Sequence, residues 1–557
     1  MQKLYTAAGQ KLPDIPWDRY PRPQLVRQDW LCLNGSWKLS WTGQETNICV
    51  PFCPESLLSG VEMPPAIGEQ MTYRRSFRIP DSWRGRRVLL HFGAVGRECR
   101  VFVNDTEVAR HDSGYLSFSA DITDALRPGD NELAVTAVND LDRRFPWGKQ
   151  SGKRGGMWYT PVSGIWQTVW IEPVPEHYIH ALRIETDAEG CTVRCDGACE
   201  GTLLFEGSEI ALRNGFARID VPSPELWSPE HPKLYRFALC SGEDAVESYF
   251  ALRTLRIETV DGLPRLCLNG EPYFFNGLLD QGYWSDGLYT PASPDAYAED
   301  ILAMKSLGFN TLRKHIKVEP EQFYYDCDRL GMVVFQDMVN NSGYHYVRDT
   351  VLPTLHFQHR RDTYYNRSTE ARAIFTRTMH ETVEQLRNHP CICYWTIFNE
   401  GWGQFCADEQ YELLRAQDPT RFIHSTSGWF HQTKSDVDSI HCYFDPQHLG
   451  KRPERPQVIS EFGGYVWKLP EHSFNREKTY GYKKFDSREA FTADLLRLYR
   501  EEILPLIPRG LCAAIYTQVS DVEDETNGLL TFDRAVCKLE SETFRPLMDE
   551  LCAAIRS

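Results

Sequence analysis

Cys391-Ile-Cys-Tyr-Trp-Thr-Ile-Phe-Asn-Glu-Gly-Trp-Gly403 is the stretch on which the reading of this chain turns. From Cys391 to Phe398 it is apolar almost without a break, the pattern of a strand buried on both faces in a parallel sheet or barrel. It ends abruptly in Asn399, Glu400 and Gly401. In barrel enzymes the C-terminal tips of the strands carry the chemistry. Taken alone, the same residues also serve as turn formers at a strand end. Pro456-Gln-Val-Ile-Ser-Glu-Phe-Gly-Gly464 repeats the arrangement, a short apolar strand ending in Glu461 and glycines. The two glutamates are 61 residues apart, room for a few strand and helix units. On one closed barrel their side chains rise from the same rim and can converge. Two facing carboxyl groups are the minimum equipment for cleaving a glycosidic bond.

Around these stretches, strand and helix signals alternate from about residue 259 to 557, which implies parallel strands with crossover helices. The strands read as Tyr273–Asn276, Phe309–Arg313, Met332–Asp337, the opening stretch, Phe422–Thr426, Asp438–Tyr443, Val458–Glu461 and Ala513–Gln518. Helices are expected after the Ser293-Pro294 cap, over Glu319–Leu330 and over Glu370–Asn388. Eight strands in about 300 residues fit a (β/α)8 TIM barrel. Residues 1–178 instead give short, alternating strands such as Trp37–Trp41, Tyr73–Ile79, Arg87–Phe92 and Glu132–Val138, with turn residues beside them, which implies a two-sheet sandwich. Residues 179–258 have the length and strand content of an immunoglobulin-like sandwich. Both sandwiches are read as supports for the barrel.

Composition narrows the partners. A net charge of −16 with no offsetting basic block argues against nucleic acid and anionic membranes. Seventeen cysteines are scattered without zinc-site spacing, and the first ten residues lack the apolar core of a secretion signal. The expectation is a cytoplasmic protein with reduced thiols, no metal and no cofactor. Fifteen tryptophans supply faces for sugar stacking as well as core.

At this point the residues resemble glycoside hydrolase family 2, the family of β-galactosidases, β-glucuronidases and β-mannosidases. Leu33-Asn-Gly-Ser-Trp37, Tyr73-Arg-Arg-Ser-Phe77, Gly164-Ile-Trp166 and Leu226-Trp-Ser-Pro229 look like landmarks of its jelly-roll and immunoglobulin-like domains. Phe398-Asn-Glu-Gly401 looks like its acid/base motif and Ser460-Glu-Phe-Gly463 its nucleophile motif. The resemblance implies Glu400 as acid/base, Glu461 as nucleophile, Asn399 bonded to the sugar 2-hydroxyl and Tyr443 in contact with the nucleophile. Asp280, Arg313 and His315 are candidates for sugar hydroxyls, Asp337 closes the third strand, and each could equally belong to a rim salt bridge. Trp402 could wall the sugar site, and Gln518 and Asp521 occupy the eighth rim. Tyr344 to Tyr365 could form an aglycone wall or a subunit contact, and a homo-oligomer fits family habit.

Two departures bear on the sugar. The Asn-x-Lys element by which β-glucuronidases hold a uronate reads Thr526-Asn-Gly-Leu-Leu530 here, without lysine. The usual Arg-Ser-His of the second strand reads Arg313-Lys-His315. The expectation is therefore a retaining exo-glycosidase releasing a neutral β-linked sugar such as galactose. Glucuronidase, mannosidase or arabinofuranosidase specificity, and a carbohydrate-binding protein on an inert barrel, are the alternatives.

Overall fold

Eight all-parallel strands make the largest sheet of the computed structural model, which describes residues 2–556 apart from residues 356, 359 and 360. They are Phe275–Asp280, Thr311–Lys314, Val333–Asp337, Ile392–Asn399, Phe422–Ser427, Asp438–Cys442, Gln457–Gly463 and Leu511–Thr517. In order round the sheet they run five, four, three, two, one, eight, seven, six. Strand four is buried at every position, as an apolar run covered on both faces requires. This is the expected TIM barrel, with one irregularity at its closure. Strands five and six share no backbone ladder. Side chains cross that seam instead: His424 Nε2 meets Ser439 Oγ at 2.7 Å and Ser427 Oγ meets His441 Nε2 at 2.9 Å. Gly428 allows this approach, because its φ is +87° and a Cβ there would stand 2.9 Å from the His441 ring.

Several elements differ from the sequence expectation. Strand one begins at Phe275 rather than Tyr273, since Tyr273 turns its hydroxyl out to Glu230. Helices follow strands one, two, three, four, seven and eight, but none is found between strands five and six or between six and seven. Residues 428–437 are too few for a helix with its two connections. The long excursion after strand three contains the short helical turns Val347–Val351 and Leu352–Thr354 before the helix Thr369–Leu386. The expected aglycone or subunit wall at 344–365 falls partly on residues 356, 359 and 360, which lie outside the described residues.

Upstream, a four-stranded and a six-stranded antiparallel sheet enclose a core containing Trp37, Leu39, Tyr73, Leu90, Val101, Val135 and Ile171. Alternation of burial along Gly35–Trp41 follows the period of two that a sheet with one covered face imposes. A third antiparallel sheet of seven strands spans Ala181 to Phe250. It folds into two halves, joined between its third and fourth strands only by the pair Arg213–Phe216. The expected border at residue 258 falls inside the strand Leu255–Val260, whose three-stranded sheet packs under the barrel through Arg265, a donor to the carbonyls of Ile507 and Leu511. Among the described residues no helix is long and apolar enough to cross a membrane.

One buried ion cluster ties the two sandwiches together. Arg27 pairs with Glu172 at 2.9 Å and with Asp244 at 2.8 Å, and donates to the Ile179 carbonyl. Arg22 and the Tyr20 hydroxyl complete the Glu172 carboxylate. Removing one partner of a buried pair strands the other charge, at about 3–5 kcal/mol. Arg27→Met is therefore expected to lower the first thermal unfolding midpoint by several degrees, while Arg74→Met, in an exposed pair, leaves it within a degree; differential scanning calorimetry of both variants checks this.

Candidate active site

Glu461 sits within strand seven, where an isolated buried carboxylate would be protonated. It is not isolated. Its Oε1 accepts from Arg313 Nη1 at 3.0 Å and its Oε2 from the Tyr443 hydroxyl at 2.6 Å. Burial pushes its pKa up, but the charges of His441 and Arg313 outweigh burial and hold the carboxyl below its ordinary range. Arg313 is itself fixed on all sides. Its Nε donates to Asp337, its Nη1 also to the Ser460 carbonyl, and its Nη2 to Asn399 Oδ1 at 2.9 Å.

Glu400 follows strand four with φ +51°, a conformation that costs a non-glycine residue about 1 kcal/mol or more and persists only where neighbours enforce it. Here the Glu400 N–H donates to the Ser427 carbonyl at 3.0 Å, and its carbonyl accepts from Trp429 Nε1 at 3.2 Å. The bend points the carboxyl across the barrel mouth, 2.8 Å from His441 Nδ1. Burial, against the His441 hydrogen bond and with the charge of Glu461, raises its pKa. His441 Nδ1 also lies 3.5 Å from Glu461 Oε2. One donor atom of each of Glu400, His441 and Glu461 lies within 4.8 Å of the other two. That spacing would also let the three share a metal ion, the one such group among the described residues.

A cavity of about 360 Å³ opens over the two carboxyls. Of the residues expected at the site, Asn399, Glu400, Glu461, Tyr443, His315 and Trp402 line it. Tyr443 bridges Glu461 and Thr517 Oγ1, so the expected contact with that carboxylate is present. Five expected residues lie elsewhere. Asp280 turns sideways into a buried pair with Lys314 at 2.6 Å and accepts from the Gly282 N–H, and it does not line the cavity. Arg313 and Asp337 lie beneath the cavity floor, and Asp337 joins Arg313 to His315 Nδ1 at 2.8 Å. Gln518 is fully buried with its amide on Asn527 Oδ1. Asp521 likewise is tied to Lys538 at 2.7 Å.

Sequence reasoning missed other wall residues. His441 had a usable signal, since it stands two positions before Tyr443 and residues i and i+2 of a strand share a face. Glu525, Tyr480 and Tyr482 come from loops with no periodic pattern. Lys149 and Met157 come from the first sandwich. Its loop crosses the rim: Trp147 donates to the carbonyls of Asn340 and Ser342, Thr160 N–H to Glu523, and the Tyr159 hydroxyl to Glu525. Trp147 stacks on Trp158 at 5.4 Å, and Trp158 contacts Trp402 at 5.5 Å. The first sandwich therefore builds part of the cavity and is more than a support.

Burial holds His315 down to about 4, although Asp337 beside it works the other way. Its ring thus stays neutral from pH 5 to 8, and the stability lodged in that neutral form is full above the ordinary histidine value of 6.5 and is lost progressively as pH falls from there to about 4. In 15N-histidine NMR, the signals that disappear in His315→Gln should not titrate between pH 5 and 8.

Three family models match consecutive parts of the chain. They are the glycosyl hydrolase 2 galactose-binding domain-like model at residues 62–159, glycosyl hydrolases family 2 at 184–253, and the glycosyl hydrolases family 2 TIM barrel domain at 264–464. A β-galactosidase of Klebsiella pneumoniae (strain 342) is 26% identical over 421 residues, 67% of this chain and 38% of that protein. A putative β-glucuronidase of Formosa agariphila is 24% identical over 377 residues, 64% of this chain and 34% of that protein. The chain thus spans little more than a third of these curated relatives. In fold it is similar to the solved β-glucuronidase of an uncultured Clostridium, with TM-score 0.74, 18% identity, and 94% and 99% of the two chains covered. A β-galacturonidase of Eisenbergiella tayi gives TM-score 0.68, 21% identity, and coverage of 96% and 98%.

Proposed function

The chain belongs to glycoside hydrolase family 2, and we propose that it is a retaining exo-glycosidase removing a terminal β-linked sugar by double displacement. The observation that carries this is the approach of one carboxyl oxygen of Glu400 to one of Glu461 within 4.8 Å, too close to leave the gap an attacking water would need. Retaining enzymes hold their carboxyls about 5–5.5 Å apart, whereas inverting ones leave about 6.5–9.5 Å for a water.

The two environments divide the labour. Glu461, ionised beside Arg313 and Tyr443, attacks the anomeric carbon as the glycosidic C–O bond breaks. Glu400, with its pKa raised, gives its proton to the departing oxygen, and the aglycone leaves as an alcohol. Esterification removes the Glu461 charge that kept Glu400 protonated. Glu400 then takes a proton from water, whose oxygen displaces Glu461 and restores the starting configuration. Asn399, held by Arg313 through its oxygen, is left with its amide N–H groups for the sugar 2-hydroxyl.

Relatives are named for galactosides and for glucuronides, so their names do not choose the sugar. A neutral sugar was expected because the strand-eight loop has no lysine. That loop turns Glu525 to the cavity and Asn527 to Gln518 and Glu525, an arrangement suited to sugar hydroxyls. The neutrality of the rest of the sugar does not follow from it.

With an activated aryl β-glycoside, Glu461→Gln should lose at least about 10⁴-fold in kcat, and a near-normal rate removes the assignment. Glu400→Ala should be partly rescued by azide with formation of a β-glycosyl azide, identified by NMR. The pH profile of kcat/KM should be bell-shaped, its acid limb set by Glu461 below the ordinary glutamate range and its alkaline limb by Glu400 above it. His441 lowers the pKa of both glutamates, so His441→Leu should move both limbs to higher pH; a downward or one-sided shift excludes this coupling.

A further inference from the structure

Lys149 lies on the loop that the first sandwich sends across the barrel rim, and it is only 7% exposed. Its side chain lines the cavity. Among the described residues its ammonium has no hydrogen bond and no carboxylate within ion-pair distance; it stands 5.6 Å from the face of Tyr159, and its charge is felt by Glu400 and His315. The other buried cations around the barrel have acceptors, backbone carbonyls for Arg253 and Arg265 and carboxylates for the rest. Arg313 has Asp337 and Glu461, Lys314 has Asp280 and Glu319, Lys317 has Glu319, and Lys538 has Asp521. A buried ammonium left without counter-charge is costly, and proteins either pair such a group or neutralise it.

Apart from the exposed Asp445, the carboxylates of the cavity are already engaged. Glu461 is held by Arg313 and Tyr443, Glu400 faces His441, and Glu525 accepts from Tyr159 and Asn527. Lys149 therefore has no direct carboxylate contact among the described residues and is open to a negative charge brought by a ligand. The cavity that Lys149 lines also holds Glu461 and Asn399, the residues assigned to the sugar, while Phe444, His448 and Lys451 on the same cavity are exposed.

We propose that Lys149 is the specificity-determining counter-ion for an anionic substituent, a carboxylate or a sulfate, on the sugar bound against Glu461, so that the preferred substrate is an acidic glycoside. The proposal rests on the glycosidase reading above and deepens it. It moves recognition of the acid group from the strand-eight loop, which has no lysine, to another domain.

The test compares nitrophenyl β-galactoside, β-galacturonide, β-glucuronide and 6-sulfo-β-galactoside on the wild type, Lys149→Met and Lys149→Arg. One acidic substrate should exceed its neutral counterpart in kcat/KM by about a hundredfold or more, most of that ratio should vanish in Lys149→Met, and Lys149→Arg should keep part of it. Preference for a uronide assigns a carboxylate, and preference for the sulfated sugar assigns a sulfate. A wild type that prefers the neutral galactoside, or a Lys149→Met that slows both classes equally, overturns the proposal. Calorimetric titration of Glu461→Gln with galacturonate, glucuronate, galactose 6-sulfate and galactose reads the site without turnover. Tighter binding of an acid than of galactose, lost on adding Lys149→Met, supports the site even where double displacement fails; equal binding of all four rejects it.

Discussion

A single guanidinium sets the state of the whole barrel mouth. Arg313 rises from strand two and touches Asp337 on strand three, Asn399 on strand four, and Glu461 with the Ser460 carbonyl on strand seven. Those contacts hold parts of four strands at one point and make Glu461 an anion in a place where burial alone would protonate it. Glu400, which lacks such a cation, goes the other way. Two residues of one type thus differ in protonation because both stand beside His441 but only Glu461 also has a buried arginine. The desolvated pair is stable because each Arg313 nitrogen has an acceptor, the condition under which a buried charge is tolerable.

Around that point the cavity is a joint product of two domains. The barrel supplies floor and acids, while the loop of the first sandwich supplies Lys149, Met157 and the buttress Tyr159. Aromatic contacts from Trp147 through Trp158 to Trp402 carry the position of that loop onto the residue two places after Glu400. Stacked rings of this size fill space rigidly, with few rotamers to lose, so a wall built from a distant segment can still be well placed.

What the sequence made readable follows from how local each feature is. Strands four and seven stood out because unbroken apolar runs are rare outside doubly covered strands, and their polar tips gave Asn399, Glu400 and Glu461. The rim position of Asp280 was equally readable, but its direction was not. Whether it faces a sugar or Lys314 depends on a lysine one strand away, whose own side chain leans outward to Glu319 as well. Gln518 fails for the same reason, since Asn527 captures its amide. Lys149 left no trace at all in local pattern. A lysine beside glycines in a sandwich loop looks solvated until 130 residues and more of intervening chain bring it over the barrel.

The missing ladder between strands five and six gains meaning from the hydroxyls that replace it. Ser460 Oγ donates to the Ile440 carbonyl, so it accepts from Ser427 Oγ, and Ser427 must in turn accept from His441 Nε2. That chain assigns the Nε2 proton of His441 and leaves Nδ1 alone to deal with Glu400. The 2.8 Å contact with Nδ1 holds the Glu400 carboxyl at the cavity mouth. A regular backbone ladder at this seam would satisfy the main chain and leave that ring no fixed partner. By closing the barrel through side chains, the fold fixes the orientation of the ring that stands beside its acid.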